Sequence, residues 1–324
     1  MNERIFLLED TDPQIFYGAN NRNLHLLKET HPKLRIIARG NVIKVIGEPE
    51  EMNNFLKLLN QLEAYATEYN MLSEDIIREM IQGEYKEMKS NSDGVIIYGA
   101  GGRPITPKSA NQTRMIKIIE QNDLVFATGP AGSGKTFLAI VMAVKMLKNK
   151  SARRIILSRP AVEAGEKLGF LPGEMKDKLD PYLQPLYDAL QELIPAAKLR
   201  EHIENGVIQI APLAYMRGRT LNDAVIILDE AQNTTPHQMK MFLTRLGQNA
   251  KMIITGDITQ VDLPRGVQSG LKQAKQILEE TSGIGWINFE KKDIMRHGLV
   301  QAIVEAYEGF ERQEAENRND KTSK

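Results

Sequence analysis

The sequence predicts an α/β fold built around a parallel sheet, and three observations lead to that prediction. Between residues 111 and 310, short apolar runs alternate with helical stretches, the pattern of parallel strands with helices on both faces of the sheet. A glycine-rich octapeptide at 129–136 separates one such run from a helix, and Asp229 and Glu230 follow a later run. Ligands of such sheets bind beyond the carboxyl ends of the strands, so function is expected there.

The predicted strands of this sheet are short apolar runs, several of them rich in β-branched residues. We expect them at 124–128, 154–158, 207–211, 225–229, 252–256 and 284–289. Together with the helices between them they predict one domain over 111–310.

A smaller α/β domain is predicted ahead of the sheet, over residues 1–70. Its pattern is a strand, two helical stretches, two strands joined by a turn at Gly40-Asn41, and a helix from Pro49 to Tyr69. These elements come in an order that differs from the strand and helix alternation of 111–310. We therefore expect a separate unit.

Two further regions complete the chain. Residues 71–110 are predicted to be a helical linker and hairpin connector, in which a helix from Ser73 bridges the two domains. Beyond Phe310 the sequence is almost wholly polar, so 311–324 is predicted to be a disordered tail.

Composition excludes several classes of function. The 324 residues include 42 basic and 42 acidic side chains, so no global field draws the protein onto nucleic acid or membrane. Without cysteine, disulfides, thiolate metal sites and cysteine nucleophiles are excluded. No uncharged apolar run approaches the ~20 residues that span a bilayer. We expect a cytoplasmic protein with no membrane partner.

The octapeptide fits the phosphate-binding pattern G-x-x-x-x-G-K-[ST] at every defined position. Its glycines let successive main-chain N–H groups converge on phosphate oxygens, while the lysine adds a charge at the β- and γ-phosphates. The threonine hydroxyl is an expected ligand of Mg²⁺, which prefers oxygen. The predicted nucleotide-binding residues are Gly129, Pro130, Ala131, Gly132, Ser133, Gly134, Lys135 and Thr136.

The flanks of the octapeptide support this interpretation over a chance glycine turn. Leu124 to Thr128 has the length and composition of a buried strand, and Phe137 to Leu147 is apolar nearly all round, as in a buried helix. The order of strand, glycine turn and helix N-terminus lets the helix dipole reinforce anion binding. A bound nucleoside triphosphate is therefore predicted.

Asp229 and Glu230 end the apolar run Val225-Ile226-Ile227-Leu228 and are interpreted as a Walker B pair. Asp229 is predicted to bind Mg²⁺, and Glu230 to polarise the water that attacks the γ-phosphate. The alternative is a pair of solvated acids at a strand end. A strand-like run between the loop and this pair, and the extra glutamate, favour the RecA-like NTPases over small-molecule kinases, which need no hydrolytic water.

Two other strands also end in polar residues. After the run 251–254, Asp257 and Gln260 are in position to sense the γ-phosphate, the alternative being an ordinary Gly-Asp turn. The strand before Ser158 ends in Arg159, a cation within reach of a phosphate of ATP or of a nucleic acid.

These motifs together resemble the PhoH-like ATPases, a family similar to the core of superfamily 1 helicases. The resemblance covers about residues 90 to 310 and implies ATP, with Gln112 contacting adenine, Asp229 and Glu230 as the Walker B pair, and Gln260 as γ-phosphate sensor. The guanine-reading N-K-x-D pattern is missing, in agreement with ATP. The motifs are GPAGSGKT at 129–136, SRPAVEAGEKLGFLPG at 158–173, VIILDEAQN at 225–233, TGDITQVDLP at 255–264 and DIMRH at 293–297.

The chain has room for one RecA-like domain, whereas the helicases complete the ATP site with arginines from a second. A neighbouring subunit is the economical source, in keeping with the ring assemblies of the family. Arg296 is the first candidate for this catalytic arginine and Arg265 the second, and the alternative for each is a solvated surface ion pair. His297 is expected to cap or pack rather than to catalyse.

The N-terminal domain resembles a K-homology RNA-binding domain in its order of elements. The nucleic-acid loop of that domain is G-x-x-G, whereas this chain has Gly18-Ala19-Asn20-Asn21, and residues 1–60 carry equal numbers of basic and acidic side chains. RNA clamping and protein contact therefore stay open as alternatives for this domain.

Two functions follow from the resemblances. One is an RNA-dependent ATPase that binds, remodels or unwinds single-stranded RNA in RNA processing or ribosome maturation. The other is an ATP-switched homo-oligomeric adaptor that recruits an RNA-processing enzyme, such as an endoribonuclease, without itself remodelling RNA.

Overall fold

The computed structural model describes residues 2–85, 94–160, 175–264, 266–295, 299–300, 303 and 306–307, with the backbone alone over 175–180. Over these ranges the protein has the predicted α/β fold, with a six-stranded sheet, a three-stranded sheet and a short hairpin. The predicted tail at 311–324 lies outside the described residues. No helix in the described part of the chain is long and apolar enough to cross a membrane.

The N-terminal unit contains the elements that the sequence predicts, in the predicted order. Its antiparallel strands lie in the order β1-β3-β2, and helices cover one face around a core that includes Phe16, Phe55 and Leu59. Its elements are β1 (Asn2–Leu7), α1 (Pro13–Tyr17), α2 (Arg22–Thr30), β2 (Arg35–Arg39), β3 (Val42–Gly47), α3 (Pro49–Tyr69) and α4 (Glu74–Gln82).

The predicted connector, residues 71–110, packs partly on the N-terminal unit and partly on the large sheet. Helix α4, capped by Ser73, packs on α2 and α3 and buries Ile77 in the core of the N-terminal unit, rather than standing between the units. The hairpin strands β4 (Ile97–Tyr98) and β5 (Pro104–Ile105) instead place Ile97 and Ile105 in the core of the large sheet.

The large sheet is parallel throughout, with strand order β11-β6-β10-β9-β7-β8. All six predicted strands are present, within one residue of their predicted bounds. The helices and strands of this unit are α5 (Ala110–Gln121), β6 (Leu124–Thr128), α6 (Lys135–Lys148), β7 (Arg154–Arg159), α7 (Met175–Leu193), α8 (Ala196–Glu204), β8 (Ile208–Pro212), β9 (Ala224–Leu228), α9 (Pro236–Leu243), β10 (Lys251–Gly256), α10 (Gly270–Leu278) and β11 (Ile284–Asn288).

The order of the strands in space differs from their order along the chain. Strands β7 and β8 come between β6 and β9 in sequence, but it is β10 that lies between β6 and β9 in the sheet. Chain order alone does not contain this information, because the crossover helices carry the chain past its neighbours. The ends of β6, β10 and β9 thus meet at one edge.

Strand β9 shows why the sheet is covered on both faces. All five of its residues are buried, and they alternate between two apolar clusters. Val225 and Ile227 join the cluster that contains most of α6, whereas Ile226 and Leu228 join the cluster of α9 and α10. A strand with both faces covered has no polar position, which accounts for the uninterrupted apolar run in its sequence.

The two units touch through the last turn of α3 and the last turn of α6. Asn70, in the left-handed region at the end of α3, donates through Nδ2 to Tyr98 O at 2.7 Å and lies 3.1 Å from Gly99 O. Lys148 Nζ donates to Thr67 O at 3.1 Å and approaches Tyr98 O at 3.4 Å. Side-chain donors therefore satisfy main-chain carbonyls at this contact.

Candidate functional site

The glycine-rich loop connects β6 to α6 in the predicted order of strand, turn and helix. Gly129 (φ 136°) and Gly134 (φ 81°) lie in backbone regions that side chains with a Cβ rarely adopt. A Cβ at Gly129 would overlap the carbonyl oxygen of Phe289, and one at Gly134 would approach the Gln112 amide. Both glycines are therefore required by conformation and by space.

Lys135 begins α6 and is buried, with its ammonium directed at the loop that precedes it. Its Nζ donates to the carbonyls of Gly129 and Pro130, at 2.7 Å each, and lies 3.3 Å from Ser133 Oγ. An ammonium fixed among the loop carbonyls is a positive charge placed at the phosphate cradle before any ligand arrives. This is where the sequence predicts the lysine that contacts the β- and γ-phosphates.

The structure brings Thr136 and Asp229 together, although 93 positions separate them in the chain. Thr136 Oγ1 donates to Asp229 Oδ1 at 2.6 Å, and Thr255 Oγ1 donates to the same oxygen at 2.8 Å. Asp229 is only 6% exposed. Because β10 lies between β6 and β9, the first turn of α6, which carries Thr136, lies beside the ends of β10 and β9, which carry Thr255 and Asp229. The three side chains form one polar cluster.

The donor set of this cluster fits Mg²⁺ bound with a nucleotide. One hydroxyl and one carboxylate supply hard oxygen ligands, and Mg²⁺ commonly takes the remainder from phosphates and water. Among the described residues, no group of three or more histidine, cysteine, aspartate or glutamate side chains forms a metal cage. Thr136 and Asp229 are thus the residues that would hold the ion.

Glu230 lies at the mouth of the same cleft, with its main chain in the left-handed region at φ 52°. One carboxylate oxygen lies 3.2 Å from Arg159 Nη2, and the other accepts a hydrogen bond from Gln232 Nε2 at 2.5 Å. Gln232 is buried, and its Oε1 accepts from the main-chain N–H of Asp257 at 2.9 Å. A continuous network therefore connects the ends of β7, β9 and β10.

Asp257 and Gln260 line the cleft together with Lys135, Thr136 and Asp229. Asp257 is buried, and its Oδ1 accepts from Thr259 N and Thr259 Oγ1. Its Oδ2 has no hydrogen-bond partner within the described part of the chain. A buried carboxylate oxygen of this kind requires an explanation, and a polar ligand in the cleft is one.

Gln112 sits behind the loop rather than at the opening of the cleft. Its Nε2 donates to Ser133 O at 3.1 Å, and its Oε1 accepts from Lys108 N at 2.8 Å. Both ends of the carboxamide therefore bind main chain and support the loop. The contact with adenine implied by the family resemblance stays a prediction.

The segment after β11 packs against the loop of the same chain. Asp293 Oδ2 accepts from Asn111 Nδ2 at 2.7 Å and from Glu290 N at 2.9 Å. Burial alone raises the pKa of Asp293, but these hydrogen bonds, one from Ser109 and the charge of Lys292 together lower it. The charged carboxylate thus fixes this segment to the start of α5.

Met295 donates its main-chain N–H to Gly132 O at 3.0 Å, which brings residue 295 to the loop of its own chain. The candidates for the catalytic arginine are Arg296 and Arg265, and His297 is the neighbour of Arg296. All three lie outside the described residues. The predicted role of an arginine in the ATP site is therefore untested.

Three residues of the site were not predicted from sequence: Gln232, Thr255 and Asp293. All three are polar residues within the quoted motifs, and Thr255 also ends an apolar run. Their contacts join strand ends or loops that are distant in the chain. Only the sheet order shows which of them meet.

Comparison with known proteins gives a consistent result. A family model described as PhoH-like protein matches residues 104–308. A PhoH-like protein of Bacillus subtilis (strain 168) is 48% identical over 312 residues, which cover 95% of this chain and 97% of the relative. Protein PhoH of Escherichia coli (strain K12) is 39% identical over 291 residues, covering 89% of this chain and 79% of that protein. Among solved structures, the Pif1 helicase from Candida albicans matches with a TM-score of 0.31 and 14% identity, over 58% of this chain and 40% of that one.

Proposed function

We propose that this chain, which belongs to the PhoH-like protein family and is a P-loop NTPase, binds ATP with Mg²⁺ and hydrolyses it. The observation that carries the proposal is the 2.6 Å hydrogen bond from Thr136 Oγ1 to Asp229 Oδ1. It joins the glycine-rich loop to the acidic strand end in a cleft that Glu230 and Gln260 also line. Residues for binding and for hydrolysis therefore face one space.

Each residue of the cleft has a role that its chemistry supports. Main-chain N–H groups of the loop and the Lys135 ammonium bind the phosphates. Thr136 and Asp229 would hold Mg²⁺, and the ion would supply positive charge that offsets the charge of the phosphates. Glu230 accepts the proton of the attacking water. Gln260 donates to the γ-phosphate, so its position depends on whether that phosphate is present.

The test of the metal role is a comparison of two aspartates at opposite ends of β9. We expect Asp229→Ala to lose ATP hydrolysis at any Mg²⁺ concentration, because the ion loses its carboxylate. Asp223→Ala is the control. Asp223 precedes the strand, and within the described part of the chain its carboxylate accepts a hydrogen bond from Asn249 alone. Equal rates for the two variants would overturn the assignment.

We further propose that ATP turnover is coupled to single-stranded RNA bound by the N-terminal unit. The loop Gly18-Ala19-Asn20-Asn21 departs from G-x-x-G at its fourth position. Asn20 (φ 54°) and Asn21 (φ 59°) both lie in the left-handed region, which asparagine tolerates better than most residues. Asparagine can therefore take the left-handed conformation at the position where G-x-x-G has its second glycine, and this supports an RNA-clamping loop.

The adaptor hypothesis predicts a different response to RNA. If the chain is an RNA-dependent ATPase, single-stranded RNA raises the rate of ATP hydrolysis and duplex RNA does so less. If it is an ATP-switched adaptor, the rate is indifferent to RNA and changes with a protein partner. Hydrolysis assays with RNA of defined strandedness distinguish the two, and mass measurement in ATP reports the oligomer.

A homo-oligomeric ring is proposed because the chain carries one NTPase domain. In this proposal Arg296 of one subunit completes the ATP site of the next. The contact of Met295 with Gly132 offers the alternative that Arg296 serves its own subunit. Mixing Arg296→Ala with Lys135→Ala subunits distinguishes the two arrangements. Restored ATP hydrolysis would require that Arg296 acts on the site of a neighbouring subunit. No hydrolysis in the mixture would favour an arginine that serves its own subunit.

A further inference from the structure

Both carboxylate oxygens of Glu230 are bound by donors, one from the end of β7 and one from the segment that follows Glu230 itself. Arg159 Nη2 lies 3.2 Å from Oε1, and Gln232 Nε2 donates to Oε2. The main chain of Glu230 is left-handed, a conformation that a non-glycine residue keeps only when its surroundings hold it. Glu230 is therefore fixed in place, although its side chain is 37% exposed.

The ion pair draws the carboxylate toward one side of the sheet. Arg159 ends β7, and β9 lies between β7 and β10. The phosphate-binding loop follows β6, on the far side of β10. Arg159 thus binds Oε1 from the β7 side of β9, whereas the loop lies on the β10 side. A general base must come within hydrogen-bond reach of the attacking water at the loop.

Arg159 has a second anchor, on helix α7. Its Nη1 donates to Tyr182 O at 3.0 Å. Pro181 and Pro185 flank this carbonyl inside the helix, and prolines within a helix remove main-chain donors and bend it. One guanidinium therefore connects Glu230 to α7, so a change at either contact is transmitted to the other.

We propose that Arg159 is a latch: it restrains Glu230 from the hydrolytic position, and a phosphate group releases Glu230 by taking over the guanidinium. The inference rests on the proposed role of Glu230 in ATP hydrolysis. A guanidinium binds phosphate and carboxylate with the same paired donors, so the exchange needs no new geometry. The phosphate comes either from ATP itself or from the backbone of a single-stranded nucleic acid.

The test uses the full-length chain and two arginines of the same strand. Arg159→Gln is expected to raise kcat for ATP without nucleic acid about two- to fivefold, the effect of breaking one partly exposed ion pair. The affinity for a fluorescent ATP analogue is expected to stay at the parental value if nucleic acid supplies the phosphate, and to fall if ATP supplies it, because ATP then loses its contact with the guanidinium. Arg154→Gln is the control, because Arg154 begins β7 and donates to Asn222 O away from the cleft.

Polyuridylate identifies the source of the phosphate. If backbone phosphates open the latch, polyuridylate raises the parental rate and leaves Arg159→Gln unchanged. If the phosphate of ATP opens it, polyuridylate affects neither protein, while the higher basal rate of Arg159→Gln persists. In both cases the double variant Arg159→Gln/Glu230→Gln is expected to be as inactive as Glu230→Gln, since Arg159 acts through Glu230.

A kcat for Arg159→Gln equal to or below the parental value would overturn the latch. Arg159→Lys keeps the charge and loses the paired donors, so an intermediate kcat is expected, and this variant decides the matter if Arg159→Gln does not fold. Failure of the proposed function is a separate result: the parental chain would not hydrolyse ATP, or Glu230→Gln would hydrolyse it at the parental rate.

Discussion

Helix α6 carries a lysine at each end whose ammonium donates to main-chain carbonyls, and the two lysines differ in what the sequence says about them. Lys135, at the first turn, donates to carbonyls within six positions of itself in the chain. Lys148, at the last turn, donates to carbonyls of Thr67 and Tyr98, 81 and 50 positions away. One lysine serves the ligand cradle, and the other joins the two units.

A sequence motif contains a contact only when the partners lie close together in the chain. The carbonyls to which Lys135 donates lie in one octapeptide, whose glycines the backbone path itself requires. The partners of Lys148 come from α3 and from the hairpin, and no residue near Lys148 indicates them. If this comparison is right, changes at Lys135 alter nucleotide binding, and changes at Lys148 alter stability alone.

The largest expected effect is on nucleotide affinity. Lys135→Met is predicted to weaken ATP binding at least about 100-fold, because it removes a charged donor worth about 3 kcal/mol at the phosphates. Lys148→Met is predicted to leave the affinity at the parental value. Titration of a fluorescent ATP analogue measures both, and a loss of affinity in Lys148→Met would break the comparison.

The next effect is on the contact between the units. Asn70→Ala is predicted to lower the free energy of unfolding by about 1–3 kcal/mol, since it removes the amide donor that the carbonyls of Tyr98, Gly99 and Leu193 share. Asn60→Ala is the matched control, because the exposed Asn60 on the same helix donates to Leu56 O of its own turn and has no hydrogen bond to the other unit within the described ranges. Urea unfolding measures both, and equal losses would contradict the role given to Asn70.

The smallest effect is a dependence of stability on pH. Desolvation lowers the pKa of Lys148 to about 8, against the opposing charge of Glu68. Its ordinary value is 10.5, so between the two values the unfolded chain binds more protons. The free energy of unfolding therefore rises with pH over this window, and the contribution is constant below it.

Lys148→Met is predicted to remove roughly 1–2 kcal/mol of that rise between about pH 7.5 and 9.5. Urea unfolding at the two pH values measures it. Lys145→Met serves as the control, because Lys145 lies on the same helix and pairs at the surface with Glu120. If the free energy of unfolding of Lys148→Met rises with pH as steeply as that of the parental protein, a group other than Lys148 causes the rise.

The sequence predicts the six strands and the loop because each is a local pattern: an apolar run, a glycine turn, a capped helix. It also predicts that Asp229 and Gln260 approach the loop, since strand ends share one edge. The pairs Glu230 with Arg159, Gln232 with Asp257, and Asn70 with Tyr98 could not be predicted. Each depends on which strand or unit lies beside which, and that order is fixed only by long-range packing.

In the proposed function, the cleft at the Lys135 end of α6 hydrolyses ATP with Glu230 as the base. The most direct measurement is release of inorganic phosphate in a single turnover by the parental protein and by Glu230→Gln, with ATP bound to both. We predict equal binding and, in Glu230→Gln, a rate of phosphate release at least about 100-fold lower. Release at the parental rate from Glu230→Gln would contradict the account.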